Sequence, residues 1–489
     1  MSAHVPPSPD RPDHLDRTTL AGLAPAQRPA VDPAGLRTRL VHFGLGAFHR
    51  AHQAVYTENA AARSGEPWGI TAVAPRSAET VRTLRDQDCL YSLTERRPDG
   101  HHTRVVGALT GALAMGSDAG AVDALLADPE VTVVTLTVTE KGYHRSPETG
   151  GLDLTAAPVA ADLTADPGGP LTTVVGRLAA GLAARMRAGA PPISVVCCDN
   201  MADNGTALRR VVHDFVRASA WPDRAAVLDR MAVSVAFPAT VVDRIVPATG
   251  EADRAAARAA LGVRDALPVT AEPYRQWVLE DSFAAPRPPW ELDGALFVPD
   301  VAPYQLTKLR LLNGSHSALA ALGAAAGLTT IADTMAADWG EPLVRALCAE
   351  VAPTLPAGGP DPAAYAGDLV VRFANPAMQH RLRQIGSDAS LKIAERWLPV
   401  LRELRARGAR TPVLELSLAA WALGTGRTDA PPDPAADALA ACWERGTTPA
   451  ETVRALLRVL GANDLADDDA LTAAVAERLP ALRAGRVEP

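Results

Sequence analysis

The chain has 489 residues, 47% of them hydrophobic and 21% charged, and carries a net charge of −8. That length exceeds one ordinary core and points to two or three domains, and that composition excludes a disordered chain. Acids and bases are interspersed, so no basic footprint for nucleic acid exists. Five cysteines (Cys89, Cys197, Cys198, Cys348, Cys442) form no CxxC pair and read as reduced thiols of a cytoplasmic protein. The N-terminus has no signal-peptide core, and no apolar run is long enough to span a bilayer.

In chain order, residues 1–37 are rich in Pro, Asp and Arg and read as a flexible or loosely docked leader. "RLVHFGLGAFHRAH" then predicts a strand, a Gly turn and a helix. "WGITAVAP", "VTVVTLTVTE" and "PPISVVCCDN" predict further strands, separated by the helical patterns "AGAVDALLAD" and "LTTVVGRLAAGLAARMRAG". Apolar strands alternating with helices imply a parallel, doubly wound α/β sheet. "RMAVSVAFPATVVDRIVP" adds a strand-rich stretch. From about Tyr304 onward apolar residues recur at helical spacing, as in "HSALAALGAAAGL" and "ERWLPVLRELRARG". The expected division is a leader (1–37), an α/β domain (38–294) and a mostly helical C-terminal domain (295–489).

The predicted first turn carries Gly44-x-Gly46, with His49 where the usual fingerprint has a third glycine. The first glycine suits a tight turn, and the second suits close approach of a pyrophosphate to backbone amides. At the end of the second strand, "VAPRSAET" offers Arg76, Ser77 and Glu79. Glu79 would suit a ribose, whereas Arg76 would meet a 2′-phosphate or stack on adenine. NAD is the expected coenzyme, with NADP the alternative.

"KLRLLNGSHS" places Lys308, Asn313 and His316 within nine residues. If the stretch is helical, Asn313 and His316 share a face. Removing a hydride from an alcohol carbon leaves a hydroxyl proton for a lysine of lowered pKa to take, and a developing oxygen charge for an amide to hold. A histidine orients that oxygen or the lysine. No HExxH or CxxC metal signature accompanies the trio, and no metal is expected. Taken alone, the three side chains also fit a solvated helix flank. A second polar cluster, "VVCCDNMADNG", ends an apolar strand with Asp199, Asn200, Asp203 and Asn204, where ligands bind in doubly wound sheets.

Together the ordered motifs "FGLGAFHRAHQA", "VTEKGYH", "CDNMADNG", "FPATVVDRIVP", "EPYRQWVLED" and "KLRLLNGSHS" resemble those of the mannitol dehydrogenase family, the polyol-specific long-chain dehydrogenases, from about Arg37 to Trp397. The resemblance implies a Rossmann-type domain, a helical C-terminal domain and a metal-independent site between them. It implies coenzyme contacts from Phe43, Gly44, Gly46, Ala47 and Phe48, with Lys308 as general base/acid. Asn313, His316 and Asn200 would be the oxygen-binding and orienting groups, with Asn204 the other reading of the "CDN…DN" asparagine. Asp243, Arg383 and Lys392 would meet substrate, and Gln384 stands where mannitol 2-dehydrogenases tend to carry arginine. Gln305 replaces the glutamate that family members carry three residues before the lysine. A glutamine cannot relay a proton as a carboxylate does, so a pH profile unlike that of glutamate-bearing relatives is expected, or rerouting through Glu140.

"APRSAETVRTLRDQDCLYSL" and "HRLRQIGSDASLK" resemble the fructuronate reductase (mannonate oxidoreductase) branch more than mannitol 2-dehydrogenases. The implied function is interconversion of a sugar alcohol or aldonate with its keto sugar. The alternatives are a mannitol-1-phosphate 5-dehydrogenase, generally a shorter chain, and a catalytically weak NAD-binding sugar sensor. A small polyol or sugar acid is then the expected partner, with no nucleic acid or membrane, and the chain is expected as a monomer or weak homo-oligomer.

Overall fold

Strand β1 (Arg37–Phe43) is exposed at its first residue and buried from Leu40 onward, and β2 (Trp68–Ala74) is buried throughout. Such runs fit strands covered on both faces. They join β3 (Leu109–Ala114), β4 (Val133–Leu136), β5 (Ile193–Cys197) and β6 (Val235–Ala236) in one parallel sheet ordered β3-β2-β1-β4-β5-β6. Strand order therefore reverses at β1, which places a ligand crevice outside the carboxyl ends of β1 and its neighbours. Successive residues of β1 feed opposite faces: Val41 and Phe43 enter a core with Leu178 and Phe215, and Leu40 one with Ile70 and Trp277.

These elements belong to the first of two compact units, which divide between Val301 and Ala302 in a computed structural model that describes residues 14–165 and 171–488. Helices of the first unit include α1 (Ala47–Ala51), α2 (Gln53–Ser64), α3 (Ala78–Asp86), α4 (Ala119–Ala127), α5 (Val174–Arg187) and α6 (Asn204–Ala218).

Three features depart from sequence expectation. Of the expected flexible leader, residues 14–36 hold three short 3-10 turns, and Leu15 and Leu23 are buried with Leu90, Val105, Leu261 and Val263. Burying two leucines contributes roughly 2 kcal/mol each, enough to dock a segment whose Pro and Asp content otherwise reads as a tail. Residues 1–13 lie outside the described residues. Next, an antiparallel hairpin, Tyr91–Arg97 with Gly100–Val106, carries a third strand, Val269–Ala271. Its polar alternation conceals it in a search for apolar runs. Last, "RMAVSVAFPATVVDRIVP" is helical up to Ser234 before β6 and the strand Thr240–Asp243. That strand pairs antiparallel with Gln276–Glu280, which pairs parallel with Leu296–Val298, so the first unit extends past residue 294.

The second unit is helical. A short helix, Ala302–Thr307, runs into a π-helical segment, Lys308–Asn313, and then into α7 (Gly314–Ala325). The helices α8 (Ala389–Arg396), α9 (Leu398–Ala406), α10 (Pro412–Thr425) and α11 (Asp469–Arg483) share with α7 one apolar core that includes Leu311, Leu319, Trp397, Leu401 and Leu414. Prolines mark helix starts here: Pro362, Pro412 and Pro449 sit in first turns, where a missing N–H costs nothing. Among the described residues, no helix is long and apolar enough to cross a membrane.

Candidate active site

In the first unit the Gly turn opens on a cavity of about 650 Å³ at the carboxyl edge of β1, β2 and β4. Gly44 has φ +113°, and a Cβ there would lie 2.0 Å from the Thr137 carbonyl oxygen, so only glycine fits. Gly46 is different: a Cβ there meets no atom within 4 Å, and the residue lines the cavity. A nucleotide pyrophosphate needs such an open approach to backbone, so these residues fit a dinucleotide.

Arg76 and Ser77 line the same cavity at the end of β2, and the Ser77 hydroxyl caps α3 by accepting from Thr80 N at 3.1 Å. Glu79, the predicted ribose acid, is exposed on α3 outside the lining. Of the expected coenzyme-loop contacts, Phe43 is core, Ala47 and Phe48 do not line the cavity, and Phe48 stacks on His52 at 5.0 Å.

His49, at the third fingerprint position, lies flat on His42, with ring centroids 3.4 Å apart. His42 reaches Thr135 Oγ1 at 2.7 Å, the Gly44 carbonyl at 3.0 Å and Thr137 Oγ1 at 2.8 Å, tying the turn to β4. Burial holds His42 down to about 3 and His49 well below the imidazole range. A glycine's role in close packing is thus taken by two neutral stacked rings.

The turn after β4 contributes Thr137, Val138 and Thr139 to the cavity, which the sequence reading missed. Thr139 has φ +68° and ψ 156°, a conformation β-branched residues avoid. Asp199 holds it there: Oδ1 accepts from Thr139 N at 3.0 Å, and Oδ2 from Val138 N at 2.8 Å and Tyr143 Oη at 2.6 Å. Burial raises the Asp199 carboxyl above its ordinary range, against these three hydrogen bonds.

The two asparagines of the "CDN…DN" cluster separate cleanly. Asn204 is buried; its amide donates to the Asp199 and Thr240 carbonyls at 3.1 and 3.0 Å, and its carbonyl accepts from Thr240 N at 2.9 Å. Its role is structural. Asn200 is exposed on the loop after β5. Asp243 is buried at its strand's end, beside Arg244, which donates to Glu95 at 2.7 Å and to the Glu272 carbonyl at 2.9 Å.

In the second unit the sequence reading expected an ordinary helix at Lys308–Ser317, and the π segment changes its geometry. In an α-helix, residues five apart diverge by about 140°. Here Gly314 N donates to the Leu309 carbonyl, a five-residue step, as well as to that of Leu311, and the wider π turn reduces the angle between residues five apart such as Lys308 and Asn313. Lys308 is 9% exposed. His316 follows on α7, its ring 5.3 Å from Phe373 (stacked) and 5.5 Å from His380. Burial first, then His380, Arg396, Arg372 and Lys392, hold His316 well below the imidazole range, so it is neutral. Its Nε2 finds no hydrogen-bond partner among the described residues.

Lys392 donates to the Ile385 and Ser387 carbonyls at 3.0 and 2.6 Å, and burial followed by Arg396 lowers its pKa. Arg383 donates to the Asp429 carbonyl. Both line a cavity of about 660 Å³ walled by the Ser317–Ala321–Ala324 face of α7, with Trp397 and Trp421. Neither Lys308 nor His316 lines it; His316 stacks on Phe373 and lies tilted against His380 instead. Among the described residues, no group of three or more His, Cys, Asp or Glu could hold a metal ion.

Comparison with known proteins gives this geometry a lineage. The mannitol dehydrogenase Rossmann domain profile matches residues 38–292, and the mannitol dehydrogenase C-terminal domain profile matches residues 300–483. The chain is 39% identical over 466 residues to the uncharacterised oxidoreductase YdfI of Escherichia coli K12, covering 93% of this chain and 94% of that protein. It is 36% identical to the D-mannonate oxidoreductase of the same organism, covering 81% and 82%. The solved structure of the Pseudomonas fluorescens mannitol 2-dehydrogenase ternary complex with NAD and D-mannitol superposes with a TM-score of 0.77, at 34% identity, covering 96% of this chain and 97% of that one. Two domain matches in succession, over a reversed parallel sheet and a helical unit opening with a buried lysine, leave one assignment: the chain belongs to the mannitol dehydrogenase family of oxidoreductases.

Proposed function

We propose that the chain is a metal-independent, NAD-dependent dehydrogenase, acting in the cytoplasm on a CH–OH group of a polyol or aldonate and reducing the corresponding keto sugar in reverse. The observation that supports this reading is the π segment, which carries the buried Lys308 together with Asn313 directly ahead of a neutral His316, whose Nε2 has no hydrogen-bond partner among the described residues. A bound nicotinamide coenzyme supplies the hydride acceptor, or the hydride donor in reverse.

The remaining chemistry belongs to the protein. In oxidation, Lys308 Nζ as the neutral amine takes the hydroxyl proton; in reduction, the ammonium returns it to the oxygen. The Asn313 amide holds that oxygen as charge changes on it, and Asn200 is proposed as a further oxygen-binding amide. The free His316 nitrogen orients the hydroxyl. Gly44, Gly46 and Arg76 are proposed to hold the coenzyme. Asp243, Arg383 and Lys392 are proposed substrate contacts; the charge of Lys392 is already felt at His316, which supports its place near the reacting end.

The test follows loss of reduced-nicotinamide absorbance with D-fructose, D-fructuronate and D-tagaturonate, each against NADH and NADPH. Turnover of a sugar acid but not of fructose places the chain with the mannonate relatives; the reverse places it with the mannitol enzymes. Lys308→Met is expected to lose at least 10²-fold in kcat while still binding NADH. Unchanged turnover in that variant would remove Lys308 from the chemistry.

A further inference from the structure

A π-helical run is rare, and a segment free to relax would close into continuous α-helix. Something must hold Lys308–Asn313 open. Two side chains from one junction reach the place where the π segment passes into α7. Arg396, the last residue of α8, donates through Nη1 to the Asn313 carbonyl at 3.2 Å and to Ser317 Oγ at 2.8 Å. Trp397, the next residue, is 1% exposed and donates through Nε1 to the Gly314 carbonyl at 3.2 Å. A Cβ at Gly314 would sit 3.7 Å from the same indole nitrogen, an ordinary contact. A carbonyl oxygen has two lone pairs, so each can serve the helix ladder and an outside donor together.

The contacts fall on consecutive carbonyls at the exit of the π segment, which is where the phase of the helix is set. Loss of the five-residue step would swing Asn313 about 140° from Lys308. We propose that Arg396 and Trp397 are positioning residues that hold the π-to-α junction, and with it the placement of Lys308 against Asn313 and His316. This rests on the reading of Lys308 and Asn313 as the reacting groups. Both act on the backbone that carries the reacting side chains, Arg396 at Asn313 and Trp397 at Gly314.

Arg396 is also among the cations that keep His316 neutral. Trp397→Phe removes the indole donor without altering charge, and Arg396→Lys keeps the charge with a shorter donor, so the two effects separate.

The experiment compares wild type, Arg396→Met, Arg396→Lys, Trp397→Phe and Lys308→Met, using whichever of D-fructose or D-fructuronate turns over. It reads kcat, KM for the sugar, NADH affinity by fluorescence titration, and hydrogen exchange over residues 305–318. Arg396→Met and Trp397→Phe are expected to lose about tenfold or more in kcat, the scale of a small misplacement of reacting groups. Sugar KM and NADH affinity should stay within about twofold, with faster exchange at the junction and partial recovery in Arg396→Lys. Wild-type kcat in both variants, or a loss confined to KM, overturns the proposal. If Arg396→Met fails to fold, Arg396→Lys and Trp397→Phe decide the matter on the same readouts. If Lys308→Met keeps full turnover, the reading of the reacting groups fails instead.

Discussion

Acid should unfold the first unit from within. His42 and His52 are fully buried, and burial lowers each from the ordinary imidazole value of 6.5 to about 3. Below pH 6.5 the unfolded chain binds a proton at each ring, whereas the folded chain does not until about pH 3. Their contribution to stability is therefore complete above 6.5 and is lost as pH falls through that window. At pH 5, 1.5 units into it, each ring costs about 2 kcal/mol at 1.36 kcal/mol per unit. The two together cost about 4 kcal/mol, a large fraction of the 5–15 kcal/mol that holds a domain. His49, stacked on His42, shifts in the same direction. The assay is urea unfolding at pH 7.5 and 5.0, read by hydrogen exchange of peptides covering β1. His42→Gln lowers stability at both pH values but should shrink the difference between them by about 2 kcal/mol. An undiminished difference in that variant would refute the assignment of the acid sensitivity to this ring.

The Gly turn offers a paired prediction: Gly44→Ala should destabilise the fold, since its Cβ collides with the Thr137 carbonyl at a φ of +113°. Gly46→Val should leave the melting temperature within about 2 °C yet weaken NADH binding at least tenfold, because its side chain enters the open cavity; calorimetry and fluorescence titration read both, and equal NADH affinity in Gly46→Val would unseat the cavity as the coenzyme site. Gln305→Glu should shift the pH dependence of kcat by restoring a carboxylate three residues before Lys308; an unchanged profile would show that no proton passes there.

The sequence carried the alternation of apolar strands and helices, the helical second unit and the Gly turn, because apolar periodicity and glycine's freedom at positive φ are local properties. Residues such as Lys308, Asn313 and His316 stand out in any apolar helix by being polar. What local pattern could not carry is phase and partnership. Nothing in "KLRLLNGSHS" distinguishes π from α, since the choice rests on Arg396 and Trp397, some 80 residues onward. The substitution of His49 for glycine makes sense only beside His42, which β1 brings under it. Asn200 and Asn204 look alike in sequence, and the backbone of Thr240 makes one of them structural. Asp199 reads as one more loop carboxylate until the turn after β4 is folded against it. Leu15 and Leu23 anchor a proline-rich segment only because Val105 and Leu261 form a groove for them. Each of these outcomes depends on atoms distant in the chain that meet only in the fold, and on the low dielectric there, which makes an unpaired polar group costly and a paired one decisive.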